Sequence, residues 1–175
     1  MRISHYLTFG LVFLVLPLFA HADSICDDGS LVNVNGRITT INTSPTRQAG
    51  QICVTLTSAN GKDVFDQCGA ILGTVLTSNR DTGSSTLTHT AVFSNTQSFT
   101  TKNDLAQITG VLALDAAGVP CAFNVVEKIT QISWATGILK VGAADITAVG
   151  SVSACANKNL NNFTLSGKAC VKESD

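Results

Sequence analysis

Hydrophobic and polar residues alternate along most of this chain with a period of two. From Ser85 to Phe93, Leu87, His89, Ala91 and Phe93 share one face and Thr86, Thr88, Thr90 and Val92 the other. The same rhythm puts Cys121, Phe123, Val125, Glu127 and Ile129 on one side of a run, and Phe163, Leu165, Ala169 and Val171 on one side of another. That period belongs to half-buried β-strands. Strand-like runs lie near Leu31–Thr43, Gln51–Ser58, Val64–Cys68, Ala70–Ser78, Ser85–Phe93, Gln97–Thr101, Gln107–Leu114, Cys121–Thr130, Ile132–Lys140, Ala144–Cys155 and Phe163–Lys172. Asn60-Gly61, Asp81-Thr82-Gly83-Ser84, Ala117-Gly118-Val119-Pro120 and Asn157-Lys158-Asn159 supply turns. No stretch of helical length holds a 3.6-residue period; Asp104–Leu114 comes nearest and reads equally well as a strand.

Many short strands at this spacing predict an all-β fold, either a barrel or a sandwich. Gly69, Gly73, Gly110, Gly137, Gly142, Gly150 and Gly167 fall within or beside strands, where glycine marks bulges and sharp bends. Barrel corners need such bends. The expectation is therefore one small antiparallel β-barrel of about eight strands over residues 23–175, with a sandwich as the alternative.

The first 22 residues depart from the pattern. Arg2, an apolar run from Leu7 to Ala20 and Ala20-His21-Ala22 have the build of a secretory signal peptide cut after Ala22. No other apolar run approaches the roughly 18 residues of a membrane-spanning helix. Without Arg2, ten of the eleven Lys and Arg face twelve Asp and Glu, so no basic surface points to nucleic acid. The reading is a secreted or periplasmic protein with no membrane span.

All six cysteines follow Ala22, and an even count in an exported chain predicts disulfides. With Asn60-Gly61 as a two-residue turn, Cys53 and Cys68 lie directly opposite each other. They fall at a hydrogen-bonded pair, the wider of the two antiparallel pair types, which counts against the bridge. Cys155 and Cys170 point to the same face of adjacent strands, and Cys26–Cys121 follows by elimination. The expected framework is Cys53–Cys68, Cys155–Cys170 and Cys26–Cys121. With no C-x-x-C pair and a single histidine after the leader, no Cys/His zinc set is expected, and no cofactor.

The segment Ala135-Thr136-Gly137-Ile138-Leu139-Lys140-Val141-Gly142-Ala143-Ala144, ahead of the strand Asp145–Gly150, resembles the glycine-rich segment of allene oxide cyclase and dirigent-like β-barrels. That segment runs Gly-(Thr/Ser)-Gly-x-Phe-x-x-Ala-x-Gly before a strand. Thr136 and Gly137 match it, Gly142 and Ala144 stand where it has Ala and Gly, and Ala135 and Leu139 replace its first Gly and its aromatic. Leu87–Phe93 and Ser98–Thr101 are similar in rhythm to a strand pair of bacterial members. The resemblance implies an eight-stranded barrel with a lumen. It implies no single activity, because the family includes cyclases, proteins that steer radical coupling and secreted members of no known activity.

His89 and Glu127 are titratable groups on otherwise apolar faces, and two such groups meeting inside a barrel could do general acid/base work. Trp134, Phe93 and Phe123 are the aromatic candidates for contact with a ligand. Three functions follow. The first is a non-enzymatic exported module that binds a small apolar ligand or a partner surface. The second is a cyclase- or isomerase-like enzyme using His89 and Glu127. The third is a structural subunit or adhesin.

Overall fold

A computed structural model describes residues 25–26, 29–156 and 158–172; the signal-peptide reading falls outside them. It is built of nine strands: β1 (Ser30–Ser44), β2 (Arg47–Thr57), β3 (Asp63–Asn79), β4 (Ser84–Val92), β5 (Ser98–Thr101), β6 (Asp104–Leu114), β7 (Pro120–Thr136), β8 (Gly142–Ser153) and β9 (Asn161–Val171). Eight of them close a ring in the order β1-β2-β3-β4-β6-β7-β8-β9 and back to β1, every pairing antiparallel. The ninth, β5, lies outside that ring of eight. It stands in line with β6 and pairs with the same two neighbours, β4 and β7. The expected barrel is the observed fold.

Two pairs of anticipated strands merge into single long ones. Gly69 does not interrupt β3. It lets β4 come close, since a Cβ there would lie 2.3 Å from the Val92 carbonyl oxygen. Around Thr130 the β7 ladder shifts register instead of turning, so 17 residues run on as one strand.

The inward face is aliphatic for most of its height. Val32, Val34 and Ile38 of β1, Ile52, Val54 and Leu56 of β2, Ile146 of β8, and Leu165 and Ala169 of β9 are buried together. At one end Phe65, Phe93 and Phe99 form an aromatic stopper, with ring centroids 5.1 and 6.1 Å apart. The centre is packed, leaving one apolar cavity of about 40 Å³ beside His89 and Thr101.

Three disulfides staple the barrel: Cys26–Cys170, Cys53–Cys68 and Cys121–Cys155. Cys53 faces Cys68 at the expected register, although residues 58–62 form a five-residue loop offset by a register shift at Leu56/Thr57. The Cα atoms are 3.9 Å apart, closer even than an ordinary narrow pair.

The other two expected bridges, Cys155–Cys170 and Cys26–Cys121, are not formed. β8 and β9 are an antiparallel hairpin in which Ser151 opposes Asn162, so Cys155 lies by the start of β9 and Cys170 near its end. A shared face does not bring them within reach. Cys155 instead meets Cys121 at the start of β7, where the Ala154 amide donates to the Cys121 carbonyl at 2.8 Å. Cys170 takes Cys26, which ties the N-terminal segment over β9. Three bridges fit an oxidising, extracellular or periplasmic setting. No helix of the described residues is long and apolar enough to cross a membrane.

Candidate functional site: a buried His-Asp-Glu layer beneath an open mouth

The end of the barrel away from the aromatic stopper is open. It holds a cavity of about 590 Å³ whose wall includes Leu87, Ala106, Ile108, Phe123, Val125 and Val152, with Asn42, Gln48, Ser85 and Asn159 among its polar groups. Strand periodicity places the next inward residues, one step deeper on the same three strands, at His89, Asp104 and Glu127. They form a polar layer between the mouth and the aliphatic centre.

Each member is set by its strand. His89 and Glu127 occupy inward positions in the middle of β4 and β7, with 7% and 4% of their surface exposed. Asp104 is wholly buried and arrives by another route. Between β5 and β6 the chain breaks at Lys102-Asn103, where Asn103 adopts φ 57°, a left-handed conformation that asparagine tolerates. The break turns Thr101 and Asp104 both inward while Lys102 and Asn103 face out.

Their contacts are specific. His89 Nδ1 lies 2.9 Å from Asp104 Oδ2 and 3.3 Å from Glu127 Oε1. The Thr101 hydroxyl accepts the His89 backbone N–H at 2.9 Å and donates to Asp104 Oδ2. Glu127 Oε1 is left without a hydrogen-bond partner among the described residues, and so is Asp104 Oδ1. Opposite the ring, Gly73 pairs with His89 across β3 and β4. A Cβ at Gly73 would stand 3.0 Å from imidazole Cδ2 and Nε2, so the glycine makes the room that the ring occupies.

Burial pushes the Glu127 carboxyl above its ordinary range, against the pull of the nearby imidazole. Burial also opposes charging of His89, but the hydrogen bond to Asp104 and the negative fields of Glu127 and Asp104 outweigh it and hold the imidazole above its usual value. The layer can therefore hold protons that the same groups would release more readily in water. It can also present one nitrogen and several oxygens to a cation.

Across the barrel lies a second buried polar group, which the sequence reading did not single out. Asn161 is wholly buried at the start of β9. Its Nδ2 donates to Thr40 Oγ1 at 3.2 Å and Asn42 Oδ1 at 2.9 Å, and its Oδ1 accepts the Ser153 amide at 2.9 Å. Thr40 passes the chain on to Gln48 at 3.1 Å.

The structure thus brings His89 and Glu127 together, as expected for a pair, and adds Asp104 and Thr101 to them. It separates the three aromatic candidates. Phe123 lines the mouth. Phe93 belongs to the stopper at the far end. Trp134 is half exposed on the outer surface, because register shifts in β7 move the inward position from Ile132 to Ala135. No family model matches this chain, and no curated protein or solved structure matches it.

Proposed function

We propose that this protein is an exported, disulfide-stapled barrel that binds a small, largely apolar ligand in its open mouth. The observation that carries this reading is the cavity of about 590 Å³ with aliphatic and aromatic walls and a few polar groups. Ligand pockets of about 300–1,000 Å³ have that make-up. The central cavity of about 40 Å³ is too small to compete with it. The Cys121–Cys155 bridge fixes one side of the opening, since Cys155 stands on the cavity wall. The resemblance to allene oxide cyclase and dirigent-like barrels belongs with this reading, because a closed eight-stranded barrel suits it. An environment-sensitive naphthalene dye tests the proposal. Binding to the wild type, lost in Val152→Trp and kept in Trp134→Ala, is the expected result; dye binding that ignores Val152→Trp would sink it.

A partner surface is the other half of the same reading. Val111, Leu112, Leu114 and Val119 are each more than half exposed on the β6–β7 hairpin, an apolar tip suited to another protein.

The second reading is an enzyme of the cyclase or isomerase kind. It is favoured by the proton-holding His89-Asp104-Glu127 layer directly beneath the mouth. It requires that a ligand in the mouth feel that layer, so dye affinity should respond to His89→Gln and Glu127→Gln. Affinity and stability unchanged in both variants would remove these residues from any site.

A further inference from the structure

The His89-Asp104-Glu127 layer has a charge and hydrogen-bond balance that protein groups do not close. Two carboxylates are buried in the wall of an aliphatic barrel. Glu127's electrostatic partners among the described residues are His89 and Asp104, one cation-capable ring and a second carboxylate. Among the described residues Glu127 Oε1 and Asp104 Oδ1 are buried and accept no hydrogen bond, although His89 Nδ1 approaches Oε1 to 3.3 Å. Such oxygens are expensive in a low-dielectric interior unless something positive meets them.

The donor geometry indicates what that is. One ligand atom from each of the three residues can be chosen so that all lie within 4.8 Å of one another. The Nδ1–Oδ2 and Nδ1–Oε1 separations are 2.9 and 3.3 Å. An ion about 2.0–2.2 Å from nitrogen and oxygen donors in tetrahedral array holds them about 3.3–3.6 Å apart, so the Nδ1–Oε1 separation already fits and the Nδ1–Oδ2 hydrogen bond must open by about 0.4 Å. The three donors come from three neighbouring strands, β4, β6 and β7, so the cluster is already assembled. Thr101 supplies the outer support that metal-binding carboxylates use, a hydroxyl on Asp104 Oδ2 that fixes the carboxylate plane.

We propose that His89 Nδ1, Asp104 and Glu127 form a three-ligand site for a divalent first-row transition ion, Zn²⁺ being the best fit. One imidazole and two carboxylates suit zinc and its neighbours. The set lacks the thiolates that select softer ions. It also lacks the six or more oxygens that calcium takes. Three protein ligands leave a fourth position for water or a ligand atom, the arrangement of catalytic zinc sites. Binding gives Glu127 Oε1 a cation, offsets the charge of the second carboxylate and sends the displaced protons to solvent. This inference does not depend on what occupies the mouth.

The test uses the untagged, oxidised protein after dialysis against a chelator. Calorimetric titration with Zn²⁺ should show one equivalent bound per chain, with a rise in melting temperature of about 5 °C or more at saturating ion. Co²⁺ in its place should give visible d–d absorption, a signature that a merely structural cluster lacks. Asp104→Asn and Glu127→Gln should each weaken Zn²⁺ binding by about tenfold or more. If Asp104→Asn fails to fold, Glu127→Gln decides alone. Absence of heat, thermal shift and Co²⁺ absorption would overturn the site. So would binding of full strength in Glu127→Gln, or stabilisation by Ca²⁺ equal to that by Zn²⁺.

Discussion

Two buried polar groups face each other across this barrel, and they are built on opposite principles. The Asn161 network on the β1–β9 wall is neutral and closed: both amide hydrogens and the amide oxygen have partners. It stands where the β1–β9 ladder runs eleven pairs without a register shift. The His89-Asp104-Glu127 layer on the β4–β6–β7 wall is ionisable and open, with two buried oxygens unpaired. It stands where β5 gives way to β6, at the end of the β6–β7 ladder away from its three register shifts between Ile108 and Leu114. A closed network in a regular ladder holds walls together, and removing it should cost stability alone. An open one at a strand break is retained at a stability cost, which is how sites for protons or ions are usually built.

Four substitutions or titrations break or sharpen that contrast. The largest effect belongs to the closed side. Asn161→Ala strands the Ser153 amide and takes one partner each from Thr40 and Asn42, and should lower unfolding free energy by about 3 kcal/mol in urea titrations. Dye and Zn²⁺ binding should persist in the surviving folded fraction. A cost below about 1 kcal/mol would show that the network is dispensable and the contrast false. Next comes Thr101→Val, which keeps the shape but leaves the His89 amide and Asp104 Oδ2 without the hydroxyl. It should cost about 2 kcal/mol and, unlike Asn161→Ala, also weaken Zn²⁺ binding.

The third probe inverts the sign. In chelator, with no ion present, Glu127 is a buried acid whose carboxyl is raised above its ordinary 4.5 by burial. Folding then favours the protonated form. Its contribution is complete below about pH 4.5 and is lost as pH rises through the higher folded value. His89, held above 6.5 against its burial by the contact with Asp104, adds a second decline that begins near that pH. Stability of the metal-free protein should therefore fall from mildly acid to alkaline pH. Glu127→Gln should abolish the first decline and leave the protein about 1 kcal/mol more stable than wild type at pH 8. Urea midpoints across pH 4–9 decide it. A wild-type profile that rises from pH 4.5 to 8 would contradict the open-cluster description.

The fold was legible because its signal is a period of two carried over long runs. Alternation put His89 and Glu127 on inward faces in mid-strand, where parity is reliable, and the register sum that sets Cys53 against Cys68 survived a loop of different length. What escaped lay where parity fails. Lys102 and Asn103 fall between the strand-like runs, and nothing in the residue types says that Asn103 turns left-handed and folds Asp104 back inside. Trp134 lies past the register shifts of β7, where simple alternation no longer tells which side a residue takes. The cysteine pairs needed positions along the strands as well as faces. Asn161 shares the parity of Phe163 and Leu165, but an asparagine at a strand start looks like turn chemistry.

The smallest effect separates a space-making residue from a binding one. Gly73 touches no donor or acceptor of the layer through a side chain, yet it faces the back of the imidazole. In Gly73→Ala the new methyl would stand 3.0 Å from Cδ2 and Nε2, tighter than ordinary contact, so the ring must move by a few tenths of an ångström. The ring can yield toward Glu127, whose Oε1 is 3.3 Å from Nδ1, but not toward Asp104 Oδ2 at 2.9 Å, so the stability cost should be about 1 kcal/mol. The same displacement alters both distances from Nδ1 to the carboxylate oxygens. Zn²⁺ affinity should fall by several-fold while the Asn161 wall, and with it dye binding in the mouth, is unaffected. Equal losses of stability and ion affinity in Asn161→Ala and Gly73→Ala would mean that the two walls respond as one body. Ion affinity that moves only with Gly73 would tie it to the position of His89.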